Sequence, residues 1–337
     1  MLHLRFTLLI CLVCPVLSIG QTLNQPNNYI SFRVPGSSST IPMSINDSGA
    51  VTGYYDSSNV NLGGFIRDAD GCFTTFEVPG SGETEPVSIN ASGDVTGYWT
   101  TAHSYTPPWQ GFVRNRWGVF TSINVPGSTS VWPVRINDSG TVIGYYSTAT
   151  DYGTPFYGFI RSPNGVITTF TPPGAVDTYF SDINDAGETI GYIYNGVSDT
   201  YFTRSRNGVL TSVGGLPESI NQEGDVAGEY GQAQGFVQSR NGGFTPFTVP
   251  GAGWGTGYLT INNRGTVMGG YSDQLNSPVS HGFTRSRDGT ITSFDLPRSA
   301  TTIPTSLNNS GVITGFYYIG TSTSALGFLR LPEHDYH

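Results

Sequence analysis

From residue 29 onward the chain runs in short stretches of four to seven residues in which apolar and polar positions alternate. Gly, Pro, Asn and Asp break the stretches. "TIPMSIN", "AVTGYY", "GFIRD" and "FTTFEVPG" are the first four. Period-two alternation rich in branched and aromatic residues, punctuated by turn formers, predicts β-strands. No sustained helical periodicity occurs outside the first twenty residues.

The four pieces recur. Their anchor is Ile/Leu-Asn-x-x-Gly, at Asn46, Asn90, Asn137, Asn184, Asn221, Asn262 and Asn308, spaced by 44, 47, 47, 37, 41 and 46 residues. A Gly stands three residues after each anchor and another seven after it, the latter at Gly53, Gly97, Gly144, Gly191, Gly228, Gly269 and Gly315. Strand a ends at the anchor, and the turn "NDSG" leads into strand b. A variable loop precedes strand c, and a turn such as "DADG" leads to strand d. The Asn folds back on its own turn, and the first Gly supplies the positive φ that closes it. The second Gly falls inside a strand, which predicts a close backbone approach or a bulge.

Four-stranded antiparallel units of about 44 residues predict an all-β, seven-bladed β-propeller. Strands a, b and c occur seven times, but only six d strands follow their own c strand. The missing one is "YISFRVPG". Residues 29–35 are therefore expected to complete the last blade and close the ring. The expected organisation is a signal peptide over 1–20, a polar linker over 21–28, one propeller domain over 29–332 and a tail over 333–337.

The leader has Arg5, an apolar run from Phe6 to Leu17, and a small-x-small pattern ending at Gly20. This is the layout of a secretory signal, predicting a secreted or periplasmic product cut near Gly20. Cleavage leaves Cys72 alone, so no internal disulfide is expected. The net charge is −9 and every basic residue is Arg. That balance argues against nucleic acid as a partner, and no segment beyond the leader suggests a membrane span. A monomer is expected.

The units "INDSGAVTGYY…GGFIR", "INDSGTVIGYY…YGFIR" and "INNRGTVMGGY…HGFTR" resemble the bacterial extracellular repeat family known as HAF. The resemblance covers residues 41–330 and implies secretion and a propeller-like fold, with no settled activity. The chain departs from that pattern at its His, since only His281 precedes Gly-Phe.

Candidate chemistry is sparse. No Gly-x-Ser-x-Gly or His-Glu-x-x-His occurs, and no metal or cofactor is expected. Arg67, Arg114, Arg161, Arg204, Arg285 and Arg330 end strand c as a ladder, read as structural. Function in a repeat fold concentrates where the pattern breaks. Two b–c loops of adjacent units are long and aromatic, and with neighbouring d–a segments they give Trp99, Tyr105, Trp109, Trp132, Tyr152 and Tyr179. Aromatic rings beside polar groups suit a sugar or a protein hot spot. The expected function is a binding module for an extracellular carbohydrate or protein. The competing reading is a polysaccharide hydrolase or lyase using Glu85, Arg135, Asp182 and Glu218 at the channel mouth. Arg135 and Asp182 could equally form a channel ion pair. A third reading is a structural surface protein without a small ligand.

Overall fold

A computed structural model describes residues 28–57, 60–101, 108–149, 155–231, 234–274 and 280–332. The leader, Tyr105 and Tyr152 lie outside the described residues. These hold twenty-eight strands and no helix. The strands pair in antiparallel groups of four in the order a-b-c-d, and the first two groups are also joined by one parallel bridge, Leu62 to Glu83. In the first unit they are Ser39–Ile45, Val51–Ser57, Val60–Arg67 and Phe73–Phe76.

Strand a of each unit packs against strand a of the next, and that of the seventh unit (Ser299–Leu307) packs against that of the first. The strands a thus surround an axis. Tyr29–Phe32 pairs antiparallel with Leu326–Arg330, with Tyr29 opposite Arg330 and Phe32 opposite Gly327. The N-terminal strand therefore completes the sheet of the last unit. Phe32 and Val34 pack into the cluster of Ile45, Val51, Phe65 and Leu329, which joins the last sheet to the first.

The d strands are shorter than the sequence suggests. Tyr29–Phe32, Phe73–Phe76 and Ile291–Phe294 each end at a Phe, two residues before the Val or Leu that precedes Pro. Pro has no N–H to give a ladder, so the chain leaves the sheet. The Val34, Val78 and Leu296 N–H groups donate instead to the hydroxyls of Thr40, Thr84 and Thr302 at the start of the next strand a.

The anchor Asn does two jobs. Its Oδ1 accepts the N–H four residues on, closing its own turn, in all seven units. Its Nδ2 donates to the carbonyl of the next unit's anchor. The series runs Asn46, Asn90, Asn137, Asn184, Asn221, Asn262, Asn308 and returns to Asn46. All seven side chains are buried. Asn46, Asn90, Asn137 and Asn308 also begin N-x-Ser sequons, but burial and these bonds leave no room for a glycan on the folded protein. Asn137→Ala removes a donor and an acceptor from a dry site, for an expected loss of about 3 kcal/mol. A urea unfolding midpoint no lower than wild type would disprove this role.

The second Gly shows both features expected of it. A Cβ on Gly53 would lie 2.1 Å from the Ile41 carbonyl oxygen. Strand a bulges at the same level, its register slipping between Pro42 and Ser44 and at the matching positions of the other units. The bulge turns an extra residue toward the axis.

The Arg ladder is structural, its guanidinium groups lying over aromatic rings. Arg67, Arg114, Arg204, Arg285 and Arg330 lie over Phe32, Phe76, Phe170, Phe247 and Phe294 of the preceding d strand. Several also cap their own c–d turn through a carbonyl, as Arg67 does with Asp68. A guanidinium over a ring fastens neighbouring sheets while keeping its charge.

Candidate functional site

The axis carries two cavities. One, of about 170 Å³, opens among the a–b turns, where Asp47, Asp138 and Asp185 stand in the first, third and fourth units and Gln222, Asn263 and Asn309 in the last three. These side chains are committed to each other's backbone. Asp138 Oδ1 accepts the Ala91 N–H, Asp185 that of Asp138, and Asp47 that of Asn309.

Deeper in the channel, the residue two before the anchor ties adjacent units in five of the seven. Ser44 accepts the Ile89 N–H, Ser88 that of Ile136, Ser219 that of Ile261 and Ser306 that of Ile45. Asp182 does the same for Ile220 at 3.0 Å. Arg135 cannot accept, so the Ile183 N–H that would have used it turns to Asp182 Oδ1 at 2.9 Å. Arg135 Nε lies 3.3 Å from that same oxygen. The two exceptions thus repair each other as an ion pair, and Asp182 has no free oxygen for chemistry.

At the opposite end the channel widens into a funnel of about 390 Å³. Its wall comes from three positions of the repeat. Five residues before the anchor stand Ile41 and Trp132, and on the bulge stand Met43, Val87, Val134, Ser181 and Thr305. Eight residues after it, on strand b, stand Tyr54, Tyr98, Tyr145 and Phe316. Tyr258 adds an exposed ring on left-handed backbone, φ 57°. Among these polar and aromatic groups, Arg135 forms part of the floor.

The rings form a continuous array. Trp132 stacks on Tyr145 with centroids 5.5 Å apart, Tyr145 meets Tyr179 edge-on at 5.0 Å, and Tyr179 stacks on Tyr192 at 4.8 Å. Trp132 and Tyr179 thus belong to the axial array. Trp109 is buried edge-on beneath Tyr98. Trp99 packs beside Val78, Ile89, Val95 and Phe112. Trp109 thus presents no open face to a ligand, contrary to the loop-face expectation for it, and Trp99 is half-buried. Trp109 directly precedes the strand Gln110–Arg114 and Trp99 is the last residue but one of Val95–Thr100, so sheet packing rather than a free loop surrounds both. The residues missed were the strand-b tyrosines, and the recurring Gly-Tyr of the repeat was the signal that could have found them.

Three carboxyl groups stand at repeat positions that supply the wall in other units, although none of the three lines the funnel itself. Glu85 stands where Ile41 and Trp132 stand in flanking units, and it is buried. Its Oε2 accepts the Tyr98 hydroxyl at 3.1 Å, whereas its Oε1 has no partner among the described residues. Burial above all, opposed by the Tyr98 bond and reinforced by Glu83, pushes its carboxyl up to about 7. Burial likewise pushes the Tyr98 hydroxyl up. In the fifth unit Glu218 takes the bulge position and Glu229 the tyrosine position. Burial and then the Glu229 charge push Glu218 up, and its bond from the Leu259 N–H opposes this. Burial pushes the Glu229 carboxyl up as well, and the two carboxyls lie close enough that the ionisation of each opposes that of the other.

The Glu85 shift has a consequence for stability. Between pH 4.5 and 7 the native state keeps a proton that the unfolded chain releases, so stability falls as pH rises through that window. The share lost is about 3 kcal/mol. Glu85→Gln is expected to match wild type near pH 4 and exceed it near pH 8. Parallel stability curves for the two proteins across this range would refute the assignment.

No protein-family profile matches the sequence, and no curated protein is detectably similar to it. Solved structures do match. A streptogramin B lyase superposes with a TM-score of 0.61 at 14% identity, over 90% of this chain and 97% of that one. Virginiamycin B lyase from Staphylococcus aureus gives 0.61 at 12%, over 90% and 99%. YCF48 bound to D1 peptide gives 0.55 at 10%, over 91% and 98%. The fold is that of the β-propellers. At these identities the likeness extends to the fold alone.

Proposed function

We propose that this protein is a secreted, seven-bladed β-propeller of the HAF-type repeat group, whose axial funnel binds an extracellular carbohydrate. Twenty-eight strands in fours, with Tyr29–Phe32 completing the last sheet, support the blade count. The leader supports secretion. The observation that carries the binding reading is the aromatic funnel itself. Trp132, Tyr145, Tyr98 and Tyr54 offer apolar ring faces and hydroxyls in one recess of about 390 Å³. A sugar ring needs both, apolar C–H faces to stack and polar groups around the edge. The site is borne on strands, so it is rigid and binding costs little ordering.

Trp132→Ala is expected to weaken sugar binding at least tenfold on a glycan array or by calorimetry while leaving the fold intact. Unchanged binding by this variant would remove the funnel as the site.

The second reading, a polymer-cleaving enzyme, is favoured by one observation. Glu85 titrates near neutrality, where a general acid is most effective. Under that reading Glu85 and the Glu218–Glu229 pair carry the chemistry, and Arg135 and Asp182 only shape the floor. Release of new reducing ends or unsaturated products from a bound polysaccharide would decide for it.

A further inference from the structure

The class of sugar follows from the one charged side chain that lines the funnel. We infer that the funnel takes an acidic sugar, a uronate whose carboxylate is received by Arg135. The inference rests on the funnel being a sugar site.

The first support is where Arg135 reaches. It stands two residues before its anchor, where the other units have Ser44, Ser88, Asp182, Ser219, Thr260 and Ser306. All seven line the cavity among the a–b turns, and Arg135 alone of them also lines the funnel. The strand position is the same in every unit, so the length of the side chain makes the difference. No carboxylate lines the funnel among the described residues. The charge that a ligand meets there is therefore positive.

The second support is what Arg135 still has to give. Its side chain is 24% exposed, and its contact with Asp182 runs through Nε at 3.3 Å. That contact is one of charge: no guanidinium N–H of Arg135 makes a hydrogen bond among the described residues. The ladder residues Arg67, Arg114 and Arg285 differ, since each donates from Nη1 to a carbonyl. Asp182 is held where it is, with Oδ1 accepting the Ile183 N–H and Oδ2 that of Ile220. It lines the turn-side cavity and not the funnel. The pair is thus a dipole whose positive end lies in the funnel. A guanidinium carries its donors in a planar fork that matches the two oxygens of a carboxylate.

The third support is what surrounds the cation. Tyr145 and Ser181 line the same recess, and neither hydroxyl is hydrogen-bonded among the described residues. They are donors for a carboxylate or for the hydroxyls of the ring that bears it. Trp132, stacked on Tyr145, offers the apolar face for the sugar's C–H side. Burial keeps Glu85 and Glu218, which lie outside the funnel, protonated at pH 6, so neither repels an anion there.

The test titrates two matched pairs of tetrasaccharides into the protein by calorimetry at pH 6. One pair is α-1,4 tetragalacturonate and its full methyl ester. The other is the β-1,4 tetramer of glucuronate and that of glucose. In at least one pair the acid is expected to bind at least tenfold tighter than its neutral counterpart, and the preference should shrink with added NaCl. In Arg135→Gln, checked for native circular dichroism, it should fall to about threefold or less. If that variant does not fold, the salt dependence in wild type decides the question by itself. No acid preference in either pair, or a preference untouched by Arg135→Gln or by salt, would overturn the acidic-sugar inference and leave the sugar reading standing. Should none of the four bind, a broad glycan array decides. Hits that carry carboxylates sustain the inference, hits confined to neutral glycans overturn it, and no hit at all overturns both readings.

Discussion

A protein lacking residues 28–36 is expected to be less stable than any single core substitution can make it. The segment contributes Tyr29–Phe32 to the last sheet and Phe32 and Val34 to the cluster between the last sheet and the first. Phe32 sits within 6.5 Å of both Phe65 and Phe73, and Arg67 lies over its ring. Phe32→Ala alone should cost about 3–5 kcal/mol. Removing the strand also strips the partner from Leu326–Arg330 and exposes an unpaired edge, which invites pairing with other chains. The truncated protein should melt far below wild type and aggregate. A synthetic peptide of residues 28–36 should restore stability in proportion to its concentration. A truncated protein that melts with the intact one would show that the N-terminal strand does not hold the ring closed.

The second large effect concerns Gly191. A Cβ there would lie 2.0 Å from the Tyr179 carbonyl oxygen, a contact that only backbone movement can relieve. Tyr179 sits in the aromatic array, between Tyr145 and Tyr192. Gly191→Ala should cost about 3 kcal/mol or more, because overpacking against backbone cannot be absorbed by a rotamer change. It should also weaken the proposed sugar binding by displacing Tyr179, which packs on Tyr145 of the funnel wall. The control is Gly270→Ala, also on a strand b and without positive φ. Its Cβ would meet nothing nearer than the Ser280 hydroxyl at 3.5 Å. It should cost under about 1 kcal/mol. Equal destabilisation by the two substitutions, measured by chemical denaturation, would refute the close-approach account.

The architecture was legible because each repeat needs the same local chemistry seven times. The Asn-x-x-Gly turn, the strand Gly and the displaced d strand all follow from the spelling of the chain. The role of the Asn amide between units was not legible. A side chain that closes its own turn gives no sign that its other end reaches a residue 37 to 47 positions away in the next unit. The candidate site was only half visible. Trp132 and Tyr179 could be picked out as departures from the pattern. The strand-b tyrosines could not, because they are the pattern, and a search for exceptions passes over them. Glu85 and Glu218 stood out by charge. Whether such side chains face the axis depends on the bulge, which shifts the register of strand a and is not written in any one residue. Arg135 and Asp182 looked like possible chemistry and are a structural exchange, legible only once the Ile183 N–H is followed to its acceptor.

The seam at Tyr29–Phe32 has a further meaning. The first and last units are joined by a strand pairing, by Asn308 donating to Asn46, and by Ile45 donating to Ser306. None of these is a peptide bond, yet the Asn bond repeats what joins every other pair of units, and the strand pairing repeats what completes every other sheet. The place where the polypeptide starts is therefore interchangeable. Linking the original ends and reopening the chain at another d–a connection would yield a circular permutant with the same set of contacts and the same funnel, its split sheet simply moved round the axis.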